Sequence, residues 1–138
     1  MSKSAEAALA ELFVAAKAAQ ANAYAPYSRF QVGAALRAES GAIHAGCNVE
    51  NAAYPQGSCA EASAISAMAL AGDRRIAEIL VMGDGEALCT PCGGCRQRIR
   101  EFADPATLIH VAGPEGVRKT FRLSELLPES FGPGHLPA

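Results

Sequence analysis

Two short motifs, Cys59-Ala60-Glu61 and Pro91-Cys92-Gly93-Gly94-Cys95, constrain this chain more than anything else in it, because thiols at metal-ligand spacing must be gathered by the fold to share an ion. Structural zinc sites close with four protein ligands, whereas catalytic sites use three and leave the fourth position open. Three cysteines with a glutamate two residues from one of them therefore predict an open zinc site at Cys59, Cys92 and Cys95. If Pro91 and Cys92 open a helix, both sulfurs of the second motif lie on one face of its first turn. Cys59 reads as the opening of another helix, and the positive ends of two helices would lower thiol pKa values and favour thiolates.

The order Cys-x-Glu, then Pro-Cys-x-x-Cys, is the pattern of zinc deaminases, with a cysteine replacing the first histidine and the glutamate acting as acid and base rather than as ligand. Zinc lowers the pKa of a bound water from about 15.7 to about 7. A mobile carboxyl within hydrogen-bond reach, here Glu61, would then carry protons to a ring nitrogen and to a departing amine. Taken singly, a cysteine is a common small core residue and a Cys-x-x-Cys pair has redox readings. The conjunction favours catalytic zinc. A structural zinc module, the rival from another class, would need a fourth ligand and would unfold without metal.

The chain has 138 residues, the common size of one domain, and a single catalytic domain spanning 1–138 is expected. Half the residues are hydrophobic and the formal charge is −2, which argues against a nucleic-acid polymer as partner and for a small-molecule substrate. No apolar run approaches the roughly 20 residues of a membrane span, and no secretory leader is evident, so the expectation is a cytoplasmic protein with no membrane partner. Three of the five cysteines are assigned to metal, leaving Cys47 and Cys89 as thiols of a reducing compartment.

Periodicity gives alternating elements. The Ala-rich run after Ser4, free of Gly and Pro, places Leu9, Leu12, Phe13 and Ala16 at helical spacing, with Pro26 as its limit. Phe30–Ala38 and Ile43–Val49 read as a hairpin turning at Glu39-Ser40-Gly41. After the loop from Glu50 to Gly57 comes a helix from Cys59 to Leu70 capped by Gly72, then a buried strand Ile76–Met82 and a turn at Gly83-Asp84-Gly85. A helix from the second cysteine motif to Phe102 and strands Thr107–Val111 and Val117–Leu123 complete the pattern. It predicts an α/β fold, a three-layer α/β/α sandwich with a mixed, five-stranded sheet, and helix N-termini converging at one sheet edge.

The segments AYAPYSRFQVGAAL, GCNVENAAYPQGSCAEASAI, PCGGCRQRIREF and LLPESFGP resemble the small cytidine deaminases, in order and over nearly the whole chain. The resemblance implies zinc-dependent conversion of cytidine and 2′-deoxycytidine to uridine and 2′-deoxyuridine in pyrimidine salvage, one zinc per chain, and a homotetramer with sites shared between subunits. It implies that Cys59, Cys92 and Cys95 hold the metal and Glu61 moves protons. Phe30 would contact the pyrimidine, Asn48 and Glu50 the ribose, with Tyr54 on the ribose side. The Ala60 amide would read the base, the Thr90 carbonyl would face the departing amine, and Phe131 would reach into a neighbouring subunit's site. The alternative is a deaminase of a cytosine nucleoside analogue or antibiotic of the blasticidin type.

This chain departs from many three-cysteine relatives at Ala62, where they carry an arginine that offsets thiolate charge. Three thiolates on one zinc leave a net −1. The helix N-termini and Arg96 are the expected compensation.

Overall fold

The computed structural model describes residues 2–137; the outermost positions of the expected domain, Met1 and Ala138, lie outside the described residues. Helix α1 (Lys3–Ala21) is followed by strands β1 (Val32–Ala38) and β2 (Ile43–Cys47). Helix α2 (Ala60–Leu70), strand β3 (Ile76–Gly83) and helix α3 (Gly93–Phe102) come next, then strands β4 (Leu108–Gly113) and β5 (Gly116–Arg122) and a short helix α4 (Leu123–Leu126). The five strands form one sheet in the order β2-β1-β3-β4-β5, with β3 and β4 parallel and every other pairing antiparallel. The mixed, five-stranded α/β sandwich read from the periodicity is the observed architecture.

Strand side chains alternate between two cores, as period-two geometry requires. Ala34, Leu36, Ile79 and Ile109 pack with Ala60, Ala64 and Met68 of α2 and Ile99 of α3. Ala35, Leu80 and Met82 pack on the opposite face against Leu12 and Ala16 of α1. Both cysteine-bearing helices thus cover one face and α1 the other. The Ala-rich stripes let helices approach the sheet closely, and two strand glycines take this to its limit. At Gly33 a side chain would run into the α1 backbone at Ala16 and Gln20; at Gly46 it would run into α2.

The hairpin is shorter at both ends than its hydrophobic pattern predicts. Phe30 and Gln31 leave the ladder because side chains bind their backbone: Asn48 Nδ2 donates to the Phe30 carbonyl at 2.8 Å, and the Gln31 amide donates to Asp84 at 3.0 Å. β2 stops at Cys47 because Asn48 gives its carbonyl to the Tyr24 amide while Val49 pairs with Ser58. These departures matter for function, since they gather the start of β1, the end of β2 and the end of β3 at one end of the sheet, where Gly33 faces Cys47 and Val32 faces Gly83. Helix α4 was not foreseen; the Leu123 amide still donates to the Thr107 carbonyl in register with the β4–β5 ladder, and the helix begins at that residue.

On β4, His110 is 2% exposed. Its Nδ1 lies 2.8 Å from Thr120 Oγ1, and its Nε2, lacking a hydrogen-bond partner, lies 3.5 Å from Glu78 Oε1. Burial holds the imidazole below its ordinary 6.5, with Glu78 pulling the other way. The unfolded chain therefore takes up this proton first as pH falls, so the stability owed to neutral His110 is present above about pH 6.5 and lost toward the folded pKa. Between about pH 7.5 and about pH 5.5 the melting temperature is expected to fall, with a shallower fall in His110→Asn. Equal slopes by circular dichroism would remove His110 as the cause.

Candidate active site

Cys59 and Cys92 are the N-cap residues of α2 and α3, each with extended backbone angles and neither using its side chain as a cap. Position 92 is thus a cap rather than the first helical residue, and Cys95 sits one turn in, buried. The arrangement brings the sulfurs of Cys59, Cys92 and Cys95 within 4.8 Å of one another. Three thiolates at about 2.3 Å from a common zinc require such proximity, so the donor set fits the ion, and the group could hold it with one coordination position left over. Burial pushes the Cys95 and Cys59 thiols up, while the Cys95 backbone amide holds Cys92 down. A coordinated divalent cation deprotonates thiols outright.

Cys59, Cys92, Glu61 and Thr90 line a cavity of about 180 Å³, with Val32, Asn48, Ala60 and Cys89 completing its wall. Glu61, in the first turn of α2, is 5% exposed. Burial raises its pKa, against smaller opposing effects from its own amide and the Arg98 charge. A carboxyl so placed holds and releases a proton nearer neutrality than a solvated one does. Cys89 is outside the sulfur cluster; burial, with Glu61 and Asp84 nearby, pushes its thiol up to about 11. Gly83 lets Phe30 and Cys89 close over the end of β3, since a side chain there would meet Cys89 Sγ at 2.6 Å and Phe30 Cζ at 3.0 Å.

Asn48 has two backbone duties: its Oδ1 accepts from the Val32 amide at 2.8 Å while Nδ2 donates to Phe30. One N–H and one lone pair of its amide are left over. Glu50 Oε1 accepts from the amides of Tyr27 at 2.9 Å and Ser28 at 3.0 Å, and Ser28 is the main reason its carboxyl lies below the usual range. Glu50 and Tyr54 line a second depression, of about 350 Å³, together with Tyr27, Ser28 and Asn51. This larger opening does not contain the sulfurs. Tyr27 meets the Tyr54 ring edge-on at 5.8 Å, so it belongs to this depression rather than to the packing before β1. Phe131 is not part of either wall; it is 56% exposed and stacks on His135 at 5.0 Å.

Arg96 does not turn to the thiolates. Its guanidinium donates to the Pro91 carbonyl at 2.7 Å, the Leu126 carbonyl at 2.9 Å and Thr90 Oγ1 at 3.3 Å, tying α3 to the last residue of α4. The residue missed in the sequence is Arg98, whose Nη1 lies 3.6 Å from Cys95 Sγ. The Cys95-x-x-Arg98 spacing, which puts both on one helix face, was the available signal. The Tyr27 and Ser28 amides on Glu50 had none, because they come from a separate loop.

Residues 7–111 match the family model of the cytidine and deoxycytidylate deaminase zinc-binding region. The chain is 40% identical over 121 residues to a cytidine deaminase of Sporosarcina psychrophila, covering 88% of this chain and 89% of that one. It is 43% identical over 121 residues to a cytidine deaminase of Mycobacterium tuberculosis, covering 86% of each. The crystal structure of cytidine deaminase from Burkholderia pseudomallei superposes with a TM-score of 0.82 at 40% identity, over 95% of this chain and 100% of that one.

Proposed function

This chain belongs to the family of cytidine and deoxycytidylate deaminases, and we propose that its Cys59, Cys92 and Cys95 hold the zinc while Glu61 carries the protons. It is a zinc-binding hydrolase that deaminates cytidine, a small nucleoside. The observation that carries the assignment of residues is the cluster of three sulfurs within 4.8 Å, two of which, Cys59 and Cys92, share a cavity wall with the buried Glu61. When bound, zinc supplies the charge that activates a water for attack on the ring carbon bearing the amine. Glu61 takes a proton as that water adds, passes it to the ring nitrogen and delivers another to the departing amine, so that cytidine and water become uridine and ammonia.

The base occupies the smaller cavity, with Phe30 against the pyrimidine, the Ala60 amide donating to the ring, and the Thr90 carbonyl accepting from the amine. The ribose lies toward the larger depression, where Glu50 and Tyr54 meet it, with Asn48 reaching it from the wall of the smaller cavity. On the same reading 2′-deoxycytidine is a substrate as well. Glu50 has one carboxylate oxygen engaged by amides and the other available. Glu50→Gln loses a charged hydrogen bond to the ribose, so KM for cytidine should rise about tenfold. An unchanged KM would move the ribose elsewhere.

The setting follows from the same reading: a single domain over 1–138, a cytoplasmic enzyme of pyrimidine salvage, and a homotetramer in which Phe131 reaches a neighbour's site. Its exposure and its place outside both walls of its own subunit support that role. Sedimentation giving only a monomer mass would end the tetramer reading. Among the described residues no helix is long and apolar enough to cross a membrane. The antibiotic-deaminase alternative is not favoured beside relatives bearing the cytidine deaminase name. The deciding experiment follows absorbance as the zinc-loaded protein meets cytidine, with uridine identified by chromatography; no uridine would refute the reading.

A further inference from the structure

We propose that Arg98 is the positioning residue of the metal centre: its guanidinium donates to the Cys95 sulfur and supplies the fixed positive charge that the three-thiolate site otherwise lacks. The inference rests on Cys59, Cys92 and Cys95 being the zinc ligands.

The three sulfurs are not equivalent. Cys59 and Cys92 stand at helix caps, where unpaired amides and the helix dipole favour negative charge. Cys95 itself lies in the first turn of α3, fully buried, and is not a cap residue. Its sulfur therefore needs a donor from elsewhere, and Arg98 Nη1 is 3.6 Å away, a length ordinary for a hydrogen bond to sulfur.

Other cations are occupied or absent. Arg96 is spent on the Pro91 and Leu126 carbonyls and on Thr90. Residue 62, next to Glu61, is alanine. The neighbour of Cys95, Gly94, leaves space for the guanidinium, because a side chain there would approach Nη1 to 3.2 Å. Zinc with three thiolates carries a net −1, which weakens its pull on water; a cation hydrogen-bonded to one thiolate draws electron density from sulfur and restores part of that pull.

The test uses cobalt(II) in place of zinc, because sulfur-to-cobalt charge-transfer absorption reports electron density on the thiolates directly. Arg98→Met keeps the stem and removes the donor and charge; Arg98→Lys keeps the charge. The expected result is a red-shifted charge-transfer band in Arg98→Met, with zinc affinity against a chromophoric chelator and kcat each lowered about tenfold. That is the low end for a partner of a metal ligand, because Arg98 is solvent-exposed and screened. KM for cytidine should stay unchanged, and Arg98→Lys should recover most of the band position and of kcat. A wild-type band position and wild-type zinc affinity in Arg98→Met overturn the proposal while leaving the ligand assignment intact. Absence of any sulfur-to-cobalt band in the wild-type protein overturns the ligand assignment and the proposal with it.

Discussion

Glu61→Gln is expected to lower turnover of cytidine by about 100- to 10,000-fold while zinc content stays at the wild-type level. Glutamine preserves the volume and the polar end of the side chain but cannot accept and return a proton, so the change isolates proton transfer from packing. The position magnifies the effect. Glu61 is nearly fully buried in the cavity wall, burial raises its pKa, and it sits in the first turn of α2 two residues from Cys59. Bulk water has little access to take over the shuttle. Steady-state rates together with metal analysis check it. Near-normal turnover would remove Glu61 from the chemistry, and loss of zinc would instead make it a ligand.

Gly46→Ala is expected to cost about 3 kcal/mol, near the top of the range for overpacking, and to lower the melting temperature by on the order of 10 °C. The new methyl would lie 2.6 Å from Ser63 Cβ and 2.8 Å from the Ala60 carbonyl oxygen, and would also strike the Ala64 amide. Two of these three atoms are backbone, which has no rotamer to escape into. Helix α2 must therefore shift, and it carries Cys59 at its cap and Ala60 and Glu61 in its first turn. Zinc retention and activity should fall along with stability. A variant that melts like the wild type and keeps its metal would show that α2 yields cheaply. The same replacement at Gly41, whose surroundings are open but whose φ is +93°, strains only the hairpin turn and should leave the metal in place.

Much of this molecule was legible in the order of its residues. Alternation and helical spacing located all five strands and three of the four helices, because a half-buried strand and an amphipathic helix must display their period in sequence. The cluster of three cysteines that could hold a metal was legible too, since thiols at helix-opening positions are chemically restrictive at short range. Edges were less so. The hydrophobic pattern carried the hairpin through Phe30 and Val49, yet Asn48 and Asp84 draw the backbone of Phe30 and Gln31 out of the ladder. Nothing local announces that competition.

The sequence by itself determined the alternating elements and the two short motifs that hold the three cysteines and Glu61, each motif a property of spacing within a few residues. Only the tertiary structure decided the strand order that brings Val32, Cys47 and Gly83 to one end of the sheet, and which arginine serves the thiolates. Arg96, the nearer in sequence to Cys95, is captured by carbonyls of Pro91 and Leu126, whereas Arg98 reaches the sulfur. The physical reason is that a side chain's direction is settled by competition among all the acceptors around it, and most of those acceptors arrive from segments far away along the chain.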